Sequence, residues 1–313
     1  MSTTQTLSSK LIVLFGGDGY IGAHVAQELL ARGARLRIIS RHPERAFRLK
    51  PLAGLGQVQF VRADITRTEA AMLVAGADAV VNLVGAFTGD LDVLHVRAPA
   101  SLAAAAQAAG VGAFIHVSAN GANIDSKVDY ARTKAEGEAA VLAAFPKATI
   151  LRPSVVFGPD DNFINLFAGL IAAAPVIPVF CGDARLQPVF VDDVAQAIAN
   201  AAADPARLGG KTYELVGPEV LTMLELNQRI ADAQGRKRSF AVLPDFVSGI
   251  IAALPGTPVS SDQIALLKAG NVGTGLPGLK ALGVTARPLG LFLDRWLVRF
   301  RKHGRFGDKR GLA

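Results

Sequence analysis

Cysteine, histidine and aromatic residues are all scarce in this chain of 313 residues. A single cysteine, Cys181, excludes an intramolecular disulfide and a cysteine-based metal cluster, and it suits a reducing compartment. The five histidines are too scattered along the chain to predict a metal site. Aromatic residues make up 6% of the chain, whereas 50% of it is hydrophobic. This composition favours a buried, helix-covered sheet over a sandwich of two sheets.

Long apolar runs are also missing. The longest run, Phe163 to Cys181, is interrupted by Asn165, Pro175 and Pro178, which argues against a transmembrane helix. The first ten residues lack both the apolar core of a secretion signal and the arginines of a transit peptide. We therefore interpret residues 1–10 as a flexible arm.

Basic charge is concentrated at the end of the chain. The net charge is +7, and the segment 287–313 supplies +6 of it through eight Lys/Arg and two Asp/Glu. This segment has the pattern of a basic amphipathic helix, with Leu291, Phe292, Trp296, Leu297 and Phe300 on one side and Arg295, Arg299, Arg301 and Lys302 on the other. Such a helix can lie in a membrane interface, with the apolar stretch 246–256 as a second contact, or it can dock on its own lobe. Nucleic acid is disfavoured because residues 1–286 carry only +1.

Short apolar segments alternate with helical patterns along the first half of the chain. The strand candidates are LIVLF, RLRIIS, VQFVRAD, DAVVNLVGAF, FIHVSA and ATILRPSVVFG. Their alternation with helices predicts right-handed βαβ units, and therefore an α/β fold with a doubly wound, Rossmann-type parallel sheet. The later segment TYELVG is expected to return to this sheet. We expect a Rossmann domain over 11–159 and 187–217, a smaller lobe over 160–186 and 218–286, and a basic C-terminal helix in 287–313.

Three glycines lie between the first strand and the following helix. They are Gly16, Gly19 and Gly22, in the sequence FGGDGYIG. Glycine permits a positive φ in the turn and lets a diphosphate approach the backbone, and the next helix offers free N–H groups at its N-terminus. A tight turn without a ligand is the alternative. The strand–turn–helix context favours a nucleotide, which Tyr20 and Ile21 would also contact.

The residues at the end of the second strand indicate which type of dinucleotide the chain would bind. Ser40 and Arg41 stand there, with Arg45 one turn further on. A chain that binds NAD usually places Asp or Glu here for the ribose hydroxyls, whereas a guanidinium pairs with a 2′-phosphate. We therefore expect NADP(H) rather than NAD(H), with a solvated arginine as the alternative. Asp64 follows the third strand, where it either meets the adenine edge or caps a helix.

Ser118, Tyr130 and Lys134 form a candidate catalytic group. A tyrosine and a lysine four residues apart on a helix share one face. The ammonium is expected to lower the pKa of the phenol, so that Tyr130 exchanges a proton with a carbonyl or alcohol during hydride transfer. Ser118 would orient the substrate oxygen, and Lys134 would also hold the nicotinamide ribose. An ordinary amphipathic helix is the alternative.

These motifs make residues 10–285 resemble the extended short-chain dehydrogenases/reductases. The motifs are GGDGYIG, ADIT, NLVG, YARTK, LRPSVVFGP and QPVFVDDVAQAI. The resemblance implies that the cofactor is also contacted by Ile65, Val84, Gly85, Pro153 and Val155. Two features depart from the family pattern: His95 replaces an asparagine, and the gap between Ser118 and Tyr130 is short.

A closer resemblance is to one branch of that family, the Rossmann-type accessory subunits of respiratory complex I and their bacterial relatives. It rests on HVSANGAN, AFPKATILRPSVVFGPDDNFINLFA, QPVFVDDV and LPGLKALGVTARPLG. The last of these, Leu276 to Gly290, is the most specific because ordinary dehydrogenases do not need it. The branch implies a tightly held NADP(H) with a structural role, and complex I subunits or a membrane surface as partners of the basic tail.

Two functions follow from these observations. The first is an NADP(H)-binding accessory protein of the respiratory NADH:quinone oxidoreductase, peripheral on the cytoplasmic face of a bacterial inner membrane rather than in a mitochondrial matrix. The second is an NADPH-dependent reductase, epimerase or dehydratase that acts on a small carbonyl or nucleotide-linked substrate through Tyr130 and Lys134. A nucleotide-sensing regulator is a third alternative. The sequence predicts neither a substrate nor an oligomeric state.

Overall fold

The computed structural model describes residues 6–244 and 261–301. The β-strands in these ranges are β1 (Leu11–Phe15), β2 (Arg35–Ser40), β3 (Val58–Arg62), β4 (Ala79–Asn82), β5 (Ala113–Val117), β6 (Thr149–Pro153), β7 (Val156–Phe157), β8 (Val176–Val179), β9 (Arg185–Leu186), β10 (Val189–Phe190), β11 (Thr212–Leu215), β12 (Leu221–Thr222) and β13 (Ser239–Val242). The α-helices are α1 (Tyr20–Ala31), α2 (Ala70–Val74), α3 (Ala98–Ala108), α4 (Asp129–Ala144), α5 (Phe163–Ala173), α6 (Val191–Ala203), α7 (Pro205–Leu208), α8 (Met223–Ala233), α9 (Ser261–Ala269) and α10 (Leu293–Trp296). None of the described helices is both long enough and apolar enough to cross a bilayer.

The chain divides into two compact units. The first comprises Met1–Pro153, Val191–Leu215 and Gly273–Thr285, and the second comprises Ser154–Phe190, Val216–Val272 and Ala286–Ala313. Residues 273–285, expected in the smaller lobe, therefore group with the first unit. The reason is a contact at the sheet edge, where Glu214 of β11 bridges Gly278 and takes a hydrogen bond from the Thr274 N–H at 2.7 Å.

A seven-stranded parallel sheet forms the centre of the first unit. Its order is β11-β6-β5-β4-β1-β2-β3, and every neighbouring pair is parallel. This doubly wound order confirms the α/β fold, including the return of TYELVG as the edge strand β11. The central strands β1, β4 and β5 are largely apolar, with Asn82 and His116 as buried polar exceptions, because helices cover both faces of the sheet. On one face the buried core contains Val13, Phe15, Val80, Leu102, Phe114, Val141 and Ile150.

The expected flexible arm is partly attached to the first unit. Leu7 is buried, and its N–H donates to the Arg32 carbonyl at 3.0 Å. The helical segment that precedes β5 is irregular. It consists of a π-helical segment, Val93–Arg97, followed by α3. Such π segments are rare and often accompany functional sites, and this one carries His95.

The second unit contains three two-stranded sheets, β10–β7, β12–β9 and β13–β8, together with α5, α8, α9 and α10. Thr222 and Glu225 form a reciprocal capping box at the start of α8. Phe190 of β10 stacks on Phe292 with ring centroids 3.9 Å apart, and Trp296 packs against Phe157. These aromatic contacts fix the C-terminal segment within this unit.

The described part of the C-terminal segment consists of short helical turns and does not form the single amphipathic helix that the sequence predicts. Two 3₁₀ turns, Leu289–Leu291 and Leu297–Phe300, flank the single turn of α10. The predicted apolar stripe is divided, since Leu297 is fully buried whereas Leu291 is 56% exposed. Part of the stripe therefore stabilises the second unit itself. Residues 302–313 and the apolar stretch 246–256 lie outside the described residues.

Candidate functional site

The glycine-rich turn joins β1 to α1 as the spacing predicts. Gly16 has φ +78°, which favours glycine, and its carbonyl accepts a hydrogen bond from the Gly19 N–H at 3.1 Å. A Cβ on Gly22 would lie 2.2 Å from the Gly16 oxygen, so α1 approaches the turn too closely for any side chain. Tyr20 and Ile21 open α1, whose first backbone N–H groups have no partner within the helix. The turn therefore presents donors suited to an anion.

A cleft of about 290 Å³ lies at the carboxyl ends of β1 to β4. It brings together nine of the residues expected to bind the cofactor: Gly16, Gly19, Ser40, Arg41, Arg45, Asp64, Ile65, Val84 and Gly85. Sequence reasoning missed other lining residues, including Asp18, His42, Thr66 and Leu94. Asp18 and Thr66 lie inside the motifs GGDGYIG and ADIT, whereas His42 and Leu94 lie outside the quoted motifs and only the folded structure indicates them.

The polar side chains of the cleft are partly committed to local hydrogen bonds. Ser40 accepts from the His42 N–H at 2.9 Å. Asp64 accepts from both the N–H and the hydroxyl of Thr66, at 2.9 and 2.8 Å. The Thr66 backbone bond is the main cause that lowers the pKa of Asp64, and Arg41 lowers it further. Asp64 therefore stabilises a turn and does not cap a helix, because α2 begins only at Ala70.

Tyr130 and Lys134 occupy consecutive turns of α4, where Tyr130 is half-buried and Lys134 is buried. Phe87 stacks on the Tyr130 ring with centroids 4.3 Å apart and planes 19° apart. Burial raises the pKa of Tyr130 to about 12. The expectation that the nearby ammonium lowers this pKa is therefore wrong for this structure, because desolvation of the phenolate dominates.

Lys134 is fully buried between α4 and the end of β5. Its Nζ donates to the Val117 carbonyl at 3.2 Å. Burial lowers the pKa of Lys134 to about 8, although the Glu138 carboxylate one turn further along α4 acts in the opposite direction. A Cβ on Gly85 would lie 3.1 Å from this Nζ, which places the cleft-lining loop directly against the lysine.

Ser118 follows β5 directly and is 5% exposed. Its N–H donates to the Leu151 carbonyl at 2.7 Å. Its hydroxyl is buried and has no hydrogen-bond partner within the described parts of the chain. A buried hydroxyl without a partner is costly, so this oxygen is suited to a ligand group.

His95 connects the loop after β4 to helix α4. Its Nε2 accepts from the Ala86 N–H at 3.2 Å, and its Nδ1 lies 2.9 Å from the Thr133 hydroxyl. That hydroxyl donates to the Asp129 carbonyl, so it accepts a hydrogen bond from the Nδ1–H group. Burial lowers the pKa of His95 to about 4, with Lys134 as the next cause, so the ring is neutral. The residue that departs from the family pattern therefore lies as a neutral ring edge-on to Tyr130, with ring centroids 5.5 Å apart.

A second set of buried charges supports α4, and sequence reasoning missed it. Arg152 of β6 donates to Glu138 through Nε at 2.9 Å and through Nη2 at 2.6 Å. Glu214 of β11 is also near Arg152 and is held by the Thr274 hydroxyl at 2.9 Å. No local pattern pairs these residues, because they come from different elements.

The two remaining predicted cofactor contacts, Pro153 and Val155, belong to different units. Pro153 ends β6, and its carbonyl accepts from the Asn120 N–H at 2.8 Å. Val155 belongs to the second unit, where its N–H donates to the Asn271 side chain at 2.7 Å. Among the residues that the structure describes, no group of three His, Cys, Asp or Glu side chains is arranged to hold a metal ion.

A Rossmann-type parallel sheet, a glycine turn after its first strand and a Tyr-x-x-x-Lys helix together define a short-chain dehydrogenase/reductase. The chain belongs to the NAD-dependent epimerase/dehydratase family, whose model matches residues 12–215.

The chain is also similar to named proteins over most of its length. It is 32% identical to NADH dehydrogenase [ubiquinone] 1 alpha subcomplex subunit 9 of Mus musculus over 96% of this chain and 82% of that protein. The corresponding Dictyostelium discoideum protein is 32% identical over 97% and 88%. Ceramide reductase of Caulobacter vibrioides is 31% identical over 78% and 76%.

Solved structures show the same fold. The dTDP-glucose 4,6-dehydratase of Streptomyces venezuelae, solved with NAD and TYD, superposes with a TM-score of 0.70 at 21% identity, over 96% of this chain and 98% of that one. The UDP-glucose 4-epimerase of Thermotoga maritima, solved with UDP-glucose, gives a TM-score of 0.70 at 18% identity, over 93% and 99%. At these identities the likeness concerns the fold alone.

Proposed function

We propose that the cleft of the first unit binds a nicotinamide dinucleotide. The glycine turn supports this, since Gly22 leaves the helix N-terminus open to a diphosphate. The buried Ser118 hydroxyl without a partner supports a ligand group at the far end of the site. When bound, the dinucleotide supplies a hydride. Lys134 and Ser118 would orient its nicotinamide end and the substrate oxygen.

The preferred form is NADP(H) rather than NAD(H). Arg41 and Arg45 line the cleft where β2 ends, and Ser40 stands in place of a carboxylate. Asp64 is held in its own turn by Thr66. Guanidinium groups at this place suit a 2′-phosphate and give no advantage to a bare ribose hydroxyl.

Replacing Arg41 tests this preference. Arg41→Ala is expected to weaken NADPH binding about tenfold or more, because a charge-assisted hydrogen bond to phosphate is lost. NADH binding should change little, and titration calorimetry measures both. Arg48→Ala is the matched control, since Arg48 is exposed on the same segment but does not line the cleft. Equal losses for the two cofactors would contradict the preference for NADP(H).

The protein acts as an accessory subunit of a respiratory NADH:quinone oxidoreductase, with a mainly structural cofactor. The observation that carries this role is the similarity to complex I subunits over 96% of the chain. The covered Tyr130, with its pKa raised to about 12, supports a site that holds a cofactor rather than one that turns over rapidly. The location that fits is the cytoplasmic face of a bacterial inner membrane. The basic residues of 287–313 would contact the complex or the membrane surface.

Co-purification tests the accessory role. The tagged full chain is expected to be recovered with complex I subunits from gently solubilised membranes of the source organism, with NADP(H) retained through dialysis. Tyr130→Phe should leave both assembly and complex I activity unchanged, since the phenol is not required to hold the complex. Recovery of the protein without any complex I subunit would exclude this role.

A reductase is the second candidate, and the similarity to a ceramide reductase favours it. Tyr130 would donate its proton to the carbonyl oxygen as the hydride reaches the carbon, and Lys134 would stabilise the resulting phenolate. Phe87 would first have to leave the Tyr130 ring. Stoichiometric oxidation of bound NADPH by a carbonyl, lost in Tyr130→Phe, would establish this activity over the structural role.

A further inference from the structure

Basic charge is concentrated at one edge of the first unit. Residues 41–62 contain five Lys/Arg and one Asp/Glu, a net charge of +4. These residues include β3, the edge strand of the sheet, and the 3₁₀ segment Pro43–Leu52 that precedes it. The exposed side chains of residues 47–56 are called the edge surface below, and Arg45 is left to the cofactor cleft.

The 3₁₀ geometry decides which side chains of this segment face water. Three residues complete a turn, so every third side chain lies on the same row. The buried row contains Pro43, Ala46 and Leu49. The two outward rows carry cations and an aromatic ring: Arg45, Phe47, Arg48 and Lys50 are all exposed.

The cations of the edge surface are available to an outside partner. Among the described residues no carboxylate forms an ion pair with Arg48 or Lys50. The nearby Glu44 carboxylate forms its ion pair with Arg62, at 2.9 Å. The Lys50 ammonium lies 3.7 Å from the centre of the Phe47 ring. That position keeps the charge at the surface beside an apolar group, instead of neutralising it.

An apolar tip adjoins these cations. Leu52 is 53% exposed, Phe47 is 43% exposed, and Leu55 has no protein neighbours that reduce its exposure. The tip is held in place by Gln57, which accepts from the Gly54 N–H at 2.8 Å and donates to the Ala34 carbonyl at 2.9 Å. An anchored turn therefore holds the leucine side chains in solvent. This exposure of apolar surface to water is unfavourable, and a partner that covers the leucines would remove it.

We propose that the edge surface binds an anionic phospholipid bilayer, with Leu52 and Leu55 entering the interface and Arg48 and Lys50 facing lipid phosphates. Exposed leucines on an anchored turn suit a deformable interface, whereas a protein partner would need a matching cavity. The local charge favours an anionic surface, and its attraction adds to the apolar contact. This contact is independent of the C-terminal segment and of the proposed role in complex I.

Sedimentation with vesicles tests the proposal on the full chain. The protein is expected to bind vesicles of equal parts phosphatidylcholine and phosphatidylglycerol, and to bind phosphatidylcholine alone weakly. Leu52→Ser with Leu55→Ser, and separately Arg48→Gln with Lys50→Gln, should each lower the partition coefficient about tenfold. A matched apolar control is Ile124→Ser, since Ile124 is 52% exposed elsewhere on the first unit. A charge control is Arg97→Gln, whose side chain is 72% exposed.

Insertion of the tip has its own optical signal. The chain has one tryptophan, Trp296, so Leu55→Trp in a Trp296→Phe background reports on the tip alone. Its emission should shift to the blue on anionic vesicles and be quenched by brominated lipid. Binding equal to wild type in both double variants would overturn the proposal, as would an unshifted emission. If the wild-type chain failed to bind anionic vesicles and the two double variants lost complex I recovery, the partner would be an acidic protein surface instead, and the proposal would be overturned. Retained NADPH in each sample separates these outcomes from failure of the cofactor site.

Discussion

Gly22→Ala is expected to abolish NADPH binding and to lower the free energy of unfolding by about 2 kcal/mol or more. The added Cβ would lie 2.2 Å from the Gly16 oxygen and 2.7 Å from the Gly17 Cα, and both are backbone atoms that no rotamer change can move. Helix α1 must therefore shift away from β1, which opens the turn that presents N–H groups to a diphosphate. Titration calorimetry and urea unfolding measure the two effects.

The control for this variant is another helical glycine. A Cβ on Gly169, in the middle of α5, would meet no atom within 4 Å. Gly169→Ala should therefore raise the free energy of unfolding by about 0.5–1 kcal/mol, because alanine has the better helix propensity. NADPH affinity that is unchanged in Gly22→Ala would show that the turn does not hold the cofactor.

Glu138→Leu is expected to lower the free energy of unfolding by about 3 kcal/mol. Glu138 is 5% exposed and accepts hydrogen bonds from Arg152, so the variant leaves a largely buried guanidinium without its hydrogen-bond partner. The combined Glu138→Leu and Arg152→Met variant should lose less than the single one, because the guanidinium is removed together with its acceptor and Glu214 keeps its two hydrogen bonds from Thr274. Urea unfolding of both single variants and the double variant measures the coupling.

An exposed ion pair provides the comparison for Glu138. Arg97 and Asp92 are 72% and 47% exposed, so Asp92→Asn should change the free energy of unfolding by less than about 1 kcal/mol. If Glu138→Leu were as mild as Asp92→Asn, the buried pair would not support α4. If the double variant lost as much as the sum of the single ones, the two residues would act independently.

Much of the fold was predictable because its signals are local. The apolar strands LIVLF and RLRIIS, the glycines between strand and helix, and the helix Asp129–Ala144 each follow from neighbouring residues. The cleft could be predicted as well, since Arg41 and Asp64 end adjacent strands of a parallel sheet, and these ends meet at one edge.

The C-terminal segment and the catalytic environment were not predictable in the same way. The periodicity of 287–301 predicts one amphipathic helix, but contacts with Phe157 and Phe190 divide it into short turns. The Tyr130–Lys134 spacing predicts an activated phenol, but the stacked Phe87 and the depth of the site raise its pKa instead. Packing partners distant in sequence override local pattern in both cases.

The sequence by itself determined the doubly wound sheet, the glycine turn and the positions of Tyr130 and Lys134 on one helix face, because each depends on residues a few positions apart. Only the tertiary structure decided that Glu138 pairs with Arg152 and that Phe87 covers Tyr130. It also decided that basic and apolar side chains share one sheet edge. Burial, and with it the strength of each charge and contact, is a property of the folded chain and is absent from any short segment.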